Sequence, residues 1–384
     1  MPQGLRLAAW ALAFLYAALL AKLWWSLGHF WLLQPNGLAA LQDYVTFRLA
    51  ATMALEGRAA AAYQLPLFTA GLESLVGHAG PFWLNWPYPP SFTLILVPFA
   101  LLPYGAAGIA WLLATGGCLA SVMWSSPALR QGIAFVFAAP ASLAVMLKGQ
   151  NSFLSAALMT GFLVMMDRKP WVSGVFLGLL TYKPHLGAVI PLLLVVLRRW
   201  DIMLSATVTA LAFAGLSMVV MGPAIWIDFL WSVFAVADNF MTPDGALPAM
   251  QTVYASAAMT MGKVPAALLH AAVLLAATLT AIHILRADAD AGARAAAIIA
   301  VSLLAPPYGF NHDGVLLAVA GAFLLGTPAT RPWRWEAAWV TAAVLIPGLT
   351  LFLRWGPPGP VAAMVMLLLA ARRARAGGRV TALA

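Results

Sequence analysis

The stretch VSGVFLGLLTYKPHLGAVIPLLLVVLRR, residues 172–199, decides the fold. An apolar run from Val172 to Leu180 meets a polar turn, Tyr182-Lys183-Pro184-His185, and a second apolar run from Leu186 to Leu197 ends on Arg198-Arg199. Neither run alternates in the manner of a barrel strand, and a chain in lipid must satisfy its backbone within helices or closed barrels. The stretch therefore reads as a helical hairpin that leaves one side of a membrane and returns to it, with the arginines marking the cytoplasmic end.

The rest of the chain repeats this pattern. Hydrophobic residues make up 63% of it, against roughly 45 to 50% in soluble domains, and the mean hydropathy is +0.90. The fold class is all-α, a polytopic membrane helical bundle. A net charge of +9 does not point to nucleic acid here, because the basic residues cluster at the ends of apolar runs, where they set topology. The single cysteine, Cys118, excludes a disulfide framework or thiolate metal site and reads as a packing residue. No cofactor and no close cluster of carboxylates or histidines with metal spacing stands out.

Arg6 and the apolar run Leu7 to Leu27 read as a retained first helix rather than a cleaved signal. That helix delivers residues 28–90, a first external loop holding three of the twelve acidic residues and two arginines. Within the loop, Tyr44, Phe47, Ala51 and Leu55 recur at helical spacing before Gly57, and Leu65, Phe68, Leu72 and Val76 do the same, so two amphipathic interfacial helices are expected. The segment from Ser91 to Trp124, broken by Pro98, Pro103 and Gly105, reads as two short crossings or as one kinked crossing plus a partial one, and charge accounting favours an odd number. Beyond it, Lys148-Gly149-Gln150-Asn151, Tyr182 to His185, residues 222–261 and Ala305 to Asp313 fall on the outer side. Asp167-Arg168-Lys169, Arg198-Arg199, Arg286, Arg294, Arg331, Arg334 and Arg372-Arg373 fall inside. The total is about twelve crossings, several shorter than the roughly 20 residues of a full span. Residues 1–371 form one transmembrane domain, and 372–384 a mobile basic cytoplasmic tail.

This topology puts Asp43, Arg48, Tyr88, Gln150, Asn151, Lys183, His185, His312 and Asp313 at the same outer end. Ionisable groups near membrane depth face a cavity or one another, so five separated segments point to one site. Asp43 suits a general base toward an acceptor hydroxyl. Lys183, His185 and Arg48 suit a phosphate leaving group. Tyr88, Gln150, Asn151, His312 and Asp313 suit sugar or acceptor binding.

The ordered set Asp43-Tyr44 with Phe47, Gly57, Tyr63, Tyr88-Pro89-Pro90, Gly149-Gln150-Asn151, Gly174, Gly178, Tyr182-Lys183-Pro184, Arg198-Arg199-Trp200, Pro306-Pro307-Tyr308 and His312-Asp313 resembles the bacterial polyprenyl-phosphate-mannose-dependent alpha-mannosyltransferases. These are integral membrane glycosyltransferases of the GT-C superfamily. The resemblance implies a polyprenyl-phosphate-linked hexose donor, most often mannose, and an envelope lipid or glycan acceptor. It also implies inversion at the anomeric carbon, a catalytic carboxylate at Asp43, residence in the bacterial cytoplasmic (inner) membrane, and an active site on the external or periplasmic face.

Plainer readings stand beside these. Asp43 precedes a helix and fits an N-cap. Arg48 and Arg58 fit interface or ion-pair partners of Glu56, and Lys183 fits a snorkelling lysine. Gln150 and Asn151 fit loop backbone partners, and His312-Asp313 a hydrogen-bonded pair at a helix start. Trp83 and Trp86 fit the flanks of an entrance. At the level of the whole chain, a secondary transporter or lipid-linked sugar flippase would place its charges near the midplane with paired half-repeats. A non-enzymatic envelope subunit would tolerate changes at Asp43 and Lys183.

Overall fold

The computed structural model describes residues 1–27, 41–76, 86–242, 245–329, 333–351 and 358–377. The readings made for Trp83, Arg331 and residues 378–384 lie outside the described residues. Helices dominate, and among the described residues the one strand-like feature is an isolated bridge between Met250 and Phe310. Four helices are long and apolar enough to cross a membrane: Gln3–Lys22, Tyr104–Trp124, Trp200–Met221 and Lys263–Arg286. The other apolar helices are shorter than a full span, as expected for several crossings, and of the roughly twelve crossings expected four have full length among the described residues. The bundle is built of long helices combined with short, proline-started ones, among them Pro90–Ala100, Pro140–Lys148 and Pro170–Leu179. Proline suits the first turn because its missing N–H has no intrahelical partner there.

The described part of the polar first loop folds into the bundle. Its helix Tyr44–Leu55 forms as the spacing requires, yet it is buried on nearly every face, including Thr46 and Ala50 opposite the Tyr44 and Phe47 stripe. The helix also packs against Pro90–Ala100, so it is a core element rather than a one-faced interfacial one. Leu65–Val76 keeps the expected stripe, burying Phe68, Leu72 and Val76. The disputed segment resolves into the 11-residue helix Pro90–Ala100 followed by the 21-residue helix Tyr104–Trp124. Tyr104 hydroxyl donates to the Leu41 carbonyl at 3.3 Å, beside Asp43. At the far end of the longer helix, beyond Trp124, the Ala128 carbonyl crowds Gly326. One long helix thus links the two ends, and the shorter one starts and finishes at the Asp43 end.

Residues 222–261, expected as a loop, contain the helices Ala224–Phe240 and Val253–Met261. Cys118 is exposed on Tyr104–Trp124 rather than packed inside, so it faces the surroundings of the bundle. Gly174 and Gly178 bring Pro170–Leu179 against Trp200–Met221. A Cβ on either would lie 2.6 Å from a carbonyl oxygen of the facing helix, that of Ile202 or Ala206. Small residues spaced by four let two membrane helices approach this closely, and Ser205 Oγ adds a 2.6 Å bond to the Trp171 carbonyl. That contact fixes the helix from which Lys183 projects.

Charged groups gather at two ends. At one, Asp167 bridges Arg199 (3.0 Å) and Arg294 (3.1 Å). Nearby chain segments hold buried Arg373, whose guanidinium meets both oxygens of Glu336, Asp290, and the carbonyls of Thr327 and Leu324. The N-terminal ammonium of Met1 donates to the adjacent Leu325 carbonyl. The helix Gly359–Gly377 therefore runs on into the segment expected as a tail, anchored there by Arg373. At the other end lie the groups singled out in sequence.

Candidate active site

The turn between Pro140–Lys148 and Ser152–Met165 is the hub of that end. Gly149 closes the first helix with φ +72°, a left-handed conformation suited to glycine at a helix C-terminus. A Cβ there would also come within 2.5 Å of Tyr44 Cβ. Glycine is thus required both by backbone and by space, and it lets the turn lie directly on the start of Tyr44–Leu55. Asp43 N–H donates to the Lys148 carbonyl at 3.0 Å, and Trp111 Nε1 to the Gly149 carbonyl at 3.2 Å.

From this hub a continuous polar network runs through the bundle end. Gln150 Nε2 donates to Asp43 Oδ2 at 3.0 Å, and Gln150 Oε1 accepts from Asn151 N–H at 3.1 Å. Asn151 Oδ1 accepts from Lys183 Nζ at 3.1 Å, and Lys183 Nζ meets Asp313 Oδ1 at 2.5 Å. Ser152 Oγ donates to the same Asp313 oxygen at 3.0 Å. Residues 107, 32 and 130 positions apart in the chain are thereby joined. Tyr88 completes the group: its hydroxyl lies beside Asn151 and Gln150. Its ring packs on Phe47 and Phe92, and Phe92 stacks on Tyr182 at 4.7 Å.

The geometry decides several alternatives. Asp43 sits at the N-cap position, but its side chain makes no capping bond and its backbone is already helical. Its carboxylate turns to Gln150 instead, so capping does not account for it. Lys183 is 3% exposed, which excludes snorkelling. Gln150 serves the backbone of Asn151, and both side chains also reach charged groups, Asp43 and Lys183. His312 Nε2 stands 3.9 Å from Asp313 Oδ2, too far for a hydrogen bond. It is Asp313 that braces the turn, receiving Phe310 N–H at 3.5 Å. Arg58 pairs with Glu56 at 2.6 Å on the surface. Trp86 is 2% exposed and lines no entrance.

Arg48 is brought to a different place. Its guanidinium binds the carbonyls of Phe99 (3.3 Å) and Leu102 (2.6 Å), closing the C-terminus of Pro90–Ala100. His185 lies near Lys183 and Asp313 but outside the hydrogen-bonded chain. Its ring meets Tyr308 edge-on at 4.8 Å, and its buried Nε2 has no partner. Asn151 Nδ2 and His312 Nδ1 are likewise buried without partners. Beside them opens a small cleft of about 30 Å³ lined by His185, Gln251, Phe310, Asn311, Asp313 and Gly359. Asp43 is not part of its lining and lies at the opposite end of the network.

The two carboxylates of the network are therefore unlike. Asp313 is fully enclosed and holds an ammonium, a hydroxyl and a backbone N–H. Asp43 keeps an exposed edge and has one side-chain donor, Gln150. Burial raises the Asp43 carboxyl above its ordinary pKa, while the charge of Lys148 and the Gln150 bond pull it partway back. A carboxylate with few donors and a raised pKa accepts protons more readily than one held by a buried cation. Lys148 and Ser152 were given no role by sequence. Ser152 was legible as the residue opening the helix after Asn151. Lys148 was legible only as part of the turn. Among the described residues no group of three or more histidines, cysteines and carboxylates is placed to hold a metal ion.

A family model for glycosyltransferase family 87 matches residues 86–307, more than half of the chain. The matched span includes Tyr88, the Lys148 to Ser152 turn, Lys183 and His185. Asp43, Arg48, His312 and Asp313 fall outside it. No curated protein and no solved structure matches the chain.

Proposed function

The chain belongs to glycosyltransferase family 87, and from that premise we propose that it transfers a hexose, most often mannose, from a polyprenyl-phosphate carrier to an envelope lipid or glycan, with inversion. The family and the apolar helices together make it a membrane-embedded glycosyltransferase, which favours transfer over the transporter reading. We place the reaction at the Asp43 end, on the external face of the bacterial inner membrane.

In this reading Asp43 takes the proton of an acceptor hydroxyl as its oxygen attacks the anomeric carbon of the donor. The bond from that carbon to the phosphate oxygen breaks, and its electron pair leaves on the polyprenyl phosphate. One displacement inverts the configuration. Gln150 holds the base by its 3.0 Å bond, and Lys183–Asp313 fixes Asn151 and thereby the turn carrying Gln150. Tyr88, Gln150 and Asn151 supply polar contacts for sugar hydroxyls. His185 lines the cleft at the end of the network away from the base.

The observation that carries this reading is the contrast between the accessible, singly bonded Asp43 and the saturated Asp313. Purified protein in proteoliposomes, supplied with labelled polyprenyl-phospho-mannose and envelope lipid extract, is expected to move label to the extract. Transfer from none of a panel of polyprenyl-phospho-hexoses would overturn the donor assignment.

A further inference from the structure

The proposed reaction releases a phosphate monoester anion, and the lysines and the arginine at this end differ in availability. Lys183 is enclosed and committed to Asp313 and Asn151. Arg48 is committed to two backbone carbonyls. Lys148 is different. It is partly exposed, and among the described residues its ammonium makes neither an ion pair nor a hydrogen bond. Its own backbone carbonyl holds Asp43 N–H at 3.0 Å, so the lysine is fixed to the base through the main chain. Its charge reaches both Asp43 and His312.

We infer that Lys148 is the residue that binds the phosphate of the polyprenyl-phosphate donor and stabilises it as it leaves. This rests on the donor class proposed above. An uncommitted ammonium beside a carboxylate base, with an edge open to ligand, has the charge and position an anionic leaving group needs. Beside the network, Asn151 Nδ2 and His312 Nδ1 are buried without hydrogen-bond partners. Lys183 then acts as a positioning residue, keeping Asn151 in place, rather than as a phosphate ligand. The C-terminus of Pro140–Lys148 also favours a cation, but that electrostatic preference concerns helix stability and calls for no ligand.

The test is binding of a short-chain polyprenyl phosphate, without sugar, to full-length protein in nanodiscs. Wild type and Asp43→Asn are expected to bind it. Lys148→Gln is expected to bind about 10- to 100-fold more weakly, as loss of one charge-assisted bond implies, and Lys148→Arg to regain most of the affinity. Thermal unfolding of Lys148→Gln, expected near that of wild type, separates lost binding from lost folding. Unchanged affinity in a folded Lys148→Gln would overturn this assignment while leaving the donor class standing. Absence of binding by wild type would overturn the donor class and the assignment with it.

Discussion

The two ends of the bundle each bury a cation against a carboxylate, and they finish the task differently. Arg373 has every direction of its guanidinium engaged, by Glu336, Asp290 and two carbonyls. Around Lys183 and Asp313 the pair is complete, but Asn151 Nδ2, His185 Nε2 and His312 Nδ1 beside it are not. In the ion-pair cluster of the Arg373 end, Arg294 Nε is the one such atom among the described residues. Buried polar atoms without partners are uncommon and cost stability. The unpaired atoms are more numerous at the end where the reaction is proposed.

The comparison breaks most easily at the charge pairs. Lys183→Met leaves Asp313 buried and uncompensated and is expected to destabilise by about 3 to 5 kcal/mol. The double change Lys183→Met with Asp313→Leu should restore much of that stability, because no charge remains to be solvated, and yet stay inactive. Arg373→Met should cost a similar amount, but the folded fraction should transfer sugar at the wild-type rate. Unfolding midpoints together with activity per folded molecule check all three. If Arg373→Met abolished specific activity, the functional division between the ends would fail.

A smaller effect belongs to the hub. Gly149→Ala forces a side chain into φ +72° and against Tyr44, for an expected cost of about 1 to 3 kcal/mol, and it should lower activity further by moving Gln150 away from Asp43. A melting curve and an initial rate separate the two losses. The smallest change is one of pH. Asp43 must be deprotonated to act as base, and its pKa is raised. The rate should therefore climb with pH through an apparent value above the roughly 4 of an ordinary carboxylate. Lys148→Gln, removing the cation that lowers it, should move that limb further up. A limb at the ordinary carboxylate position in both proteins would remove Asp43 from the titration.

Much of this was legible in the sequence, for a physical reason. Apolar runs alternating with charged turns carry the information of which turns share an end, so Asp43, Tyr88, the Gly149 turn, Lys183 and Asp313 were assembled before any coordinates. Pairing was not legible. Arg48 finds carbonyls 51 and 54 residues away and Arg373 a carboxylate 37 residues away, and spacing along a chain says nothing about partners that only packing brings together. The same limit explains the continuing helix after Ala371, which composition alone marks as a tail. Burial was misjudged where residues are small: Thr46 and Ala50 lie opposite the apolar stripe of Tyr44 and Phe47 and are buried all the same.

The most direct measurement compares Asp43→Asn with Asp313→Asn in sugar transfer from a polyprenyl-phospho-hexose, with folding and polyprenyl phosphate binding measured on the same preparations. Asp43→Asn should fold, bind the carrier and lose about 10²- to 10⁴-fold in rate, the contribution of a general base, whereas Asp313→Asn should lose stability first. Wild-type transfer rates in a folded Asp43→Asn protein would contradict the account at its centre.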